Sequence, residues 1–130
     1  MTDRCLTRIM HVDDEEDIRE VAKVALESIG GFTLESCDSG DDAVRKAPGF
    51  NPDLILLDVM MPGMDGPSTL EALRRLPDTE ATPVVFMTAK AQAHELEAFK
   101  ALGAVDVVVK PFDPMTLSDH IREIWSACRD

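Results

Sequence analysis

The stretch "LILLDVMMPGMDG", residues 54–66, decides how this chain is read. Four aliphatic residues run without a break into Asp58, and a turn rich in Pro and Gly follows at once. A short apolar run closed by turn residues reads as a strand covered on both faces. A carboxylate at the end of such a run is costly to desolvate unless something compensates it. The question is what that charge does.

Working outward, "PVVFMT" (83–88) and "VDVVVK" (105–110) are also nearly continuous in apolar residues, and "RIMHV" (8–12) and "TLESC" (33–37) complete five candidate strands. Helical patterns fill the intervals. Ile18, Val21, Ala22, Ala25 and Ile29 fall on one face of a first helix that ends at Gly30-Gly31. Ser39 is placed to cap a second, with Asp41 and Asp42 in its first turn. Pro67 to Leu76 reads as a third, stopped by Pro77, and a fourth runs from about Ala91 to Leu102. In the last, Asp113 is an expected N-cap and Pro114 an N1 residue, with Leu117, Ile121, Ile124, Trp125 and Cys128 along one face. Strands alternating with helices imply a parallel sheet covered on both sides through right-handed crossovers. In such sheets ligands bind beyond the carboxyl ends of the strands, at the topological switch point.

Composition narrows the function classes. The 130 residues suit one domain, and 45% hydrophobic with 29% charged residues is an ordinary globular balance. A net charge of -12 opposes direct binding to nucleic acid. No apolar run is long enough to span a bilayer, and the N-terminus is too polar for a signal peptide. Cys5, Cys37 and Cys128 have no metal or redox spacing and suit a reducing cytoplasm, the expected location.

At the carboxyl ends the chemistry gathers. Asp13 and Asp14 follow the first strand, Asp58 ends the third, Thr88 the fourth and Lys110 the fifth. Two carboxylates ~5 Å apart repel by about 3 kcal/mol at an effective dielectric of 20, so a group of three calls for a proton or a cation. Oxygen donors without His or Cys select a hard ion such as Mg2+, which keeps an outward position open. Asp58 is then the candidate nucleophile toward a phosphoryl group, with Lys110 supplying positive charge and Thr88 a hydrogen bond. Glu16 and Asp17 read as a solvated helix start, and Glu15 lies between the two roles. His11, His94 and His120 are dispersed and read as structural, and the methionines as core and loop filler.

"VDDE" (12–15), "LLDVMMPGMDG" (56–66), "MTA" (87–89) and "VKPF" (109–112), in this order at strand ends, resemble the receiver domain of two-component response regulators over essentially the whole chain. The resemblance implies a single receiver domain over 1–130 with a flavodoxin-like αβα sandwich and a five-stranded parallel sheet of order 2-1-3-4-5. It implies that Asp58 accepts phosphate from a histidine kinase phosphohistidine or a small acyl phosphate. Asp14, Asp58 and the Met60 backbone carbonyl would ligate Mg2+, with Asp13 acting largely through water. Thr88 would be the switch hydroxyl, Lys110 the phosphate anchor, and the Lys110-Pro111 bond cis. The implied partners are a sensor histidine kinase or phosphotransfer protein and a downstream protein effector reading the face of the fourth helix, fifth strand and fifth helix. A monomer or a phosphorylation-dependent dimer is implied, without membrane contact and without turnover as an enzyme.

Some positions depart from the family pattern. Val107 stands where an aromatic residue usually rotates inward, which puts the usual coupling from Thr88 to the surface in doubt. Met60 and Lys90 occupy the two positions that tune phosphoryl lifetime in the family. Gly63 and Gly66 are expected to supply positive φ in the turn after Asp58. A natural single-domain regulator is the first expectation, and the N-terminal receiver of a multidomain transcriptional regulator the second. A different class, a Mg2+-dependent phosphatase working through an aspartyl phosphate, usually needs a second aspartate two residues past the nucleophile, where this chain has Met60.

Overall fold

The computed structural model describes residues 5–89 and 92–128, the side chain of Cys128 apart. β1 (Arg8–Val12) pairs in parallel with β2 (Thr33–Cys37) and with β3 (Leu54–Asp58). β3 pairs with β4 (Val84–Thr88), and β4 with β5 (Asp106–Val109), so the sheet order is β2-β1-β3-β4-β5. This is the flavodoxin-like order expected above. β3 and β4 are buried at every position, which accounts for their unbroken apolar runs.

Side chains alternate between two cores, as the period of a strand requires. Met10, Val12, Ile55, Leu57, Val84 and Phe86 face one layer, into which α2 (Gly40–Phe50) and α3 (Gly66–Arg74) pack. Leu96 and Phe99 of α4 (Ala93–Ala101) lie against the same layer, half-buried. Ile9, Leu54, Leu56, Val85, Met87 and Val108 face the other layer, which α1 (Glu16–Lys23) and α5 (Leu117–Cys128) cover. By this alternation Asp13, Asp58 and Lys110 stand on the α1/α5 side of the sheet's carboxyl edge.

Local signals explain most helix ends. The Ser39 side chain accepts from Asp42 N–H at 3.1 Å, and that of Asp65 from Ser68 N–H at 2.9 Å. The Asp113 carboxylate accepts from Met115 N–H at 2.9 Å, so the expected cap forms. Regular helix nevertheless begins only at Leu117, after a turn over 114–116. α3 runs from Gly66 to Arg74 rather than to Leu76, its last turn tightening through Leu76 N–H to the Leu73 carbonyl. Ala91, the expected start of α4, lies outside the described residues.

Two expectations need correction. In the first helix Ala22, Ala25 and Leu26 are buried and Ile18 packs against them, but Val21 and Ile29 are 39% and 43% exposed. The cause is a π-helical turn over Val24–Ile29, in which Gly30 N–H reaches the Ala25 carbonyl. Residues of this wider turn advance less about the axis, so Ile29 falls short of the buried face; Val21 sits at its flank. Second, Gly63 has φ +74, as expected, but Gly66 does not have positive φ. A Cβ at Gly66 would lie 2.6 Å from the Asp58 carbonyl oxygen, so this glycine is there for close backbone approach.

Candidate functional site

Each acidic residue is placed by a strand end and held by backbone. Asp13 extends β1, its N–H bonded to the Cys37 carbonyl of the neighbouring strand at 3.0 Å. Its carboxylate accepts from Glu15 N–H at 2.9 Å, and Arg19 of α1 donates to its carbonyl at 2.8 Å. Asp58 ends β3 opposite Met87, and the next N–H, that of Val59, bonds back to the Met87 carbonyl. The Met60 N–H donates to the Asp58 carboxylate, while the Met60 side chain is 78% exposed. Asp13 is fully buried and Asp58 nearly so, whereas Asp14 is exposed.

Lys110 reaches in from the end of β5. Its Nζ lies 3.1 Å from Asp13 Oδ2 and 3.1 Å from Asp58 Oδ1, with Glu15 Oε1 at 3.6 Å. The Lys110–Pro111 bond that follows is cis, as the resemblance implied. Thr88 closes β4 beside this group and is buried. Thr88 also lines a cavity of about 350 Å3 with Val59, Met60, Ala89, Glu95 and Phe99.

Electrostatics follow from this packing. Burial pushes the Asp58 carboxyl up to about 6, and the charge of Asp13 adds to the rise; hydrogen bonding and charge from Lys110 pull against it. Burial alone would lower Lys110, but its hydrogen bonds and ion pairs with Asp58 and Asp13 win, and it is raised. The ammonium therefore stays charged and neutralises part of the acid cluster.

One ligand atom each from Asp13, Asp14 and Asp58 fits within 4.8 Å of the others. This all-oxygen set, two of its members buried, fits a small hard divalent cation. Four of the residues singled out in the sequence are thus brought together, Asp13, Asp14, Asp58 and Lys110. Thr88 joins them through its backbone, its carbonyl accepting from Lys110 N–H at 2.8 Å, while its side chain lines the cavity beside α4. Met60 adjoins them through its backbone. Lys90 lies outside the described residues.

Sequence reasoning passed over two neighbours. Glu15, which by sequence lies between a site role and a solvated helix start, pairs its side chain with Lys110 at 3.6 Å. His11, read as structural, is fully buried on β1 two residues before Asp13; neither ring nitrogen has a hydrogen-bond partner among the described residues. Desolvation lowers it to about 4, against the pull of Asp13. A histidine inside a buried strand was the available signal for the second; nothing local marks the first.

Fold and site together define a doubly wound domain whose strand ends carry an acid cluster bridged by one lysine. A family model described as "Response regulator receiver domain" matches residues 9–122. The transcriptional regulatory protein ResD of Bacillus subtilis is 41% identical over 109 residues, which are 83% of this chain and 43% of that protein. CseB of Streptomyces coelicolor is 36% identical over 118 residues, 91% of this chain and 49% of that one. The chain spans about half the length of these curated relatives. Among solved structures, the chemotaxis protein CheY4 of Vibrio cholerae superposes with a TM-score of 0.85 at 30% identity, covering 92% of this chain and 99% of that one. The chain belongs to the response regulator receiver domain family.

Proposed function

We propose that the chain is a phosphorylation-controlled signalling switch whose phosphoacceptor is Asp58. The observation that carries this reading is the bridge of Lys110 between Asp58 and Asp13, 3.1 Å from each, at the mouth of a three-carboxylate cluster. Asp13, Asp14, Asp58 and the Met60 backbone carbonyl would hold Mg2+, with Asp13 acting largely through water. When bound, the ion supplies charge neutralisation at the phosphoryl oxygens.

The residues divide the remaining work. An Asp58 carboxylate oxygen attacks phosphorus in line; the P–N bond of a phosphohistidine breaks, and the leaving imidazole nitrogen takes up a proton. With an acyl phosphate donor the P–O bond breaks and a carboxylate leaves. Lys110, 3.1 Å from Asp58 Oδ1, sets its ammonium beside the position where charge develops on the transferred group. Burial of Asp58 favours a reactive, poorly hydrated nucleophile. Thr88 offers a hydroxyl to one phosphoryl oxygen, and its engagement would draw β4 and the cavity beside α4 toward one of two arrangements. Effectors reading the α4, β5 and α5 surface would sense that shift.

The family match over 9–122 supports a regulatory rather than a turnover role and a histidine kinase or phosphotransfer protein as donor. The rest of this reading is a single receiver domain over 1–130 in the cytoplasm, as monomer or phosphorylation-dependent dimer. Both a chemotaxis-type single-domain regulator, as CheY4 is, and the receiver part of a transcriptional regulator, as in ResD and CseB, share this fold and site.

The test is incubation with acetyl phosphate and Mg2+ followed by intact-mass measurement. One added phosphoryl group is expected, absent in Asp58→Asn and absent with chelator. Sustained release of phosphate from assorted monoesters would instead establish the phosphatase reading.

A further inference from the structure

Lys110 has three N–H donors and three carboxylate neighbours, and the three differ in how firmly they are held. Asp13 is fully buried, and its other oxygen is tied to Glu15 N–H. Asp58 is 2% exposed and is the group that would be modified. The Glu15 carboxylate is 62% exposed, stands farthest off at 3.6 Å, and rests against an ammonium that is only 12% exposed. No other described carboxylate reaches Lys110 from outside the buried pair.

We infer that Glu15 is a positioning residue that holds Lys110 in the unphosphorylated state and must release it when a phosphoryl group arrives. This rests on the reading of Asp58 as phosphoacceptor. An incoming phosphoryl oxygen needs a donor from Lys110. Withdrawing Asp13 would leave a buried charge uncompensated, which is strongly unfavourable. Withdrawing Glu15 sends a solvated side chain back into water at little cost. Glu15 is therefore the partner that yields, and until it does its negative charge also opposes the entering anion. Its placement is local: Asp13 draws the Glu15 N–H inward, so the side chain leaves the β1–α1 turn toward β5.

Beryllofluoride, a phosphoryl mimic, tests this at saturating Mg2+. Affinity is read from the amide NMR shifts of Asp58 and Thr88 in the wild type, Glu15→Gln and Glu16→Gln. Glu16 is exposed at the first position of α1 and removes the same charge one residue further on. Glu15→Gln should bind the mimic about two- to fivefold more tightly, the span that exposed ion pairs reach, with Glu16→Gln matching the wild type. Equal affinity in all three, or an equal gain in both variants, would overturn the inference while leaving the phosphoacceptor reading standing. A wild type that bound no mimic at all would remove both.

Discussion

Helices α4 and α5 lie on opposite faces of β5 and are held very differently. α5 buries Leu117, Ile121, Ile124 and Trp125. It is further tied to the π turn of the first helix: Ser118 Oγ donates to the Ala25 carbonyl at 2.7 Å, and Arg122 donates to the Gly30 carbonyl at 2.6 Å while lying over the Phe32 ring. α4 buries no residue. Its main hold is the half-buried pair Leu96 and Phe99, the latter edge-on to Phe86 with ring centroids 5.3 Å apart. An element with few buried apolar groups opens at a fraction of the global unfolding free energy. The weakly held helix is also the one bordering the cavity beside Thr88. In this molecule the movable part adjoins the chemistry, and the rigid part stands across the strand.

The contrast breaks most directly at Ile121, which is fully buried. Ile121→Ala should cost about 2–5 kcal/mol in urea unfolding, since it leaves a cavity under α5. Next in size is Gly30→Ala, whose new Cβ would stand 2.1 Å from Ser118 Oγ. Forcing that pair apart should cost about 1–3 kcal/mol, seen as a lower thermal midpoint. Were either change as mild as one on α4, the picture of α5 as the fixed helix would be wrong.

A third test concerns the strand end that α4 borders. The Asp58 carboxyl is raised to about 6 from 3.8, so without metal the folded protein keeps a proton there that the unfolded chain has already lost. This contributes stability at low pH that disappears as pH rises through about 6. A cation must displace the same proton, so apparent Mg2+ affinity should fall roughly tenfold from pH 7 to pH 5. Calorimetric titration checks it, and a flat profile would mean that Asp58 is no ligand. Stability curves alone are a poorer probe. His11, lowered to about 4 from 6.5, contributes stability that is lost as pH falls, and so slopes the opposite way.

The smallest effect belongs to α4. Leu102→Ala, at a position 55% exposed just past that helix, should stay within about 0.5 kcal/mol. In the same samples hydrogen exchange should be faster over α4 than over α5, and beryllofluoride with Mg2+ should slow the first while leaving the second unchanged. Uniform protection of the two helices would erase the distinction.

How much of this could be read beforehand depended on whether its cause was local. Strands buried on both faces announce themselves as apolar runs, so β3 and β4 were legible. β5 carries a similar run although it is an edge strand with Val109 exposed, and with the three came the positions of Asp58, Thr88 and Lys110 at their ends. Capping by Ser39 and Asp113 was legible because side chain and amide lie within three residues. The π turn was not. Its Ala25 carbonyl also accepts from Ser118, a partner from the far end of the chain. Nor was the pairing of Glu15 with Lys110, which arises when distant segments fold together, or the contact that makes Gly66 a glycine, which depends on how the turn after Asp58 folds back on its own start. The misjudged face of the first helix has the same origin, because an even periodicity of 3.6 was assumed across a segment that changes pitch.

That change of pitch has a further consequence. A turn closed from i to i+5 spends one residue more than a regular turn for the same helical circuit. Val24–Ile29 is therefore where this chain can lose a single residue without rotating Ala22 before it or Gly31 after it. When the chain is lined up with kin whose corresponding helix is regular, the gap belongs inside that segment. Moving it into the neighbouring loop would misassign every side chain between Val24 and the start of β2.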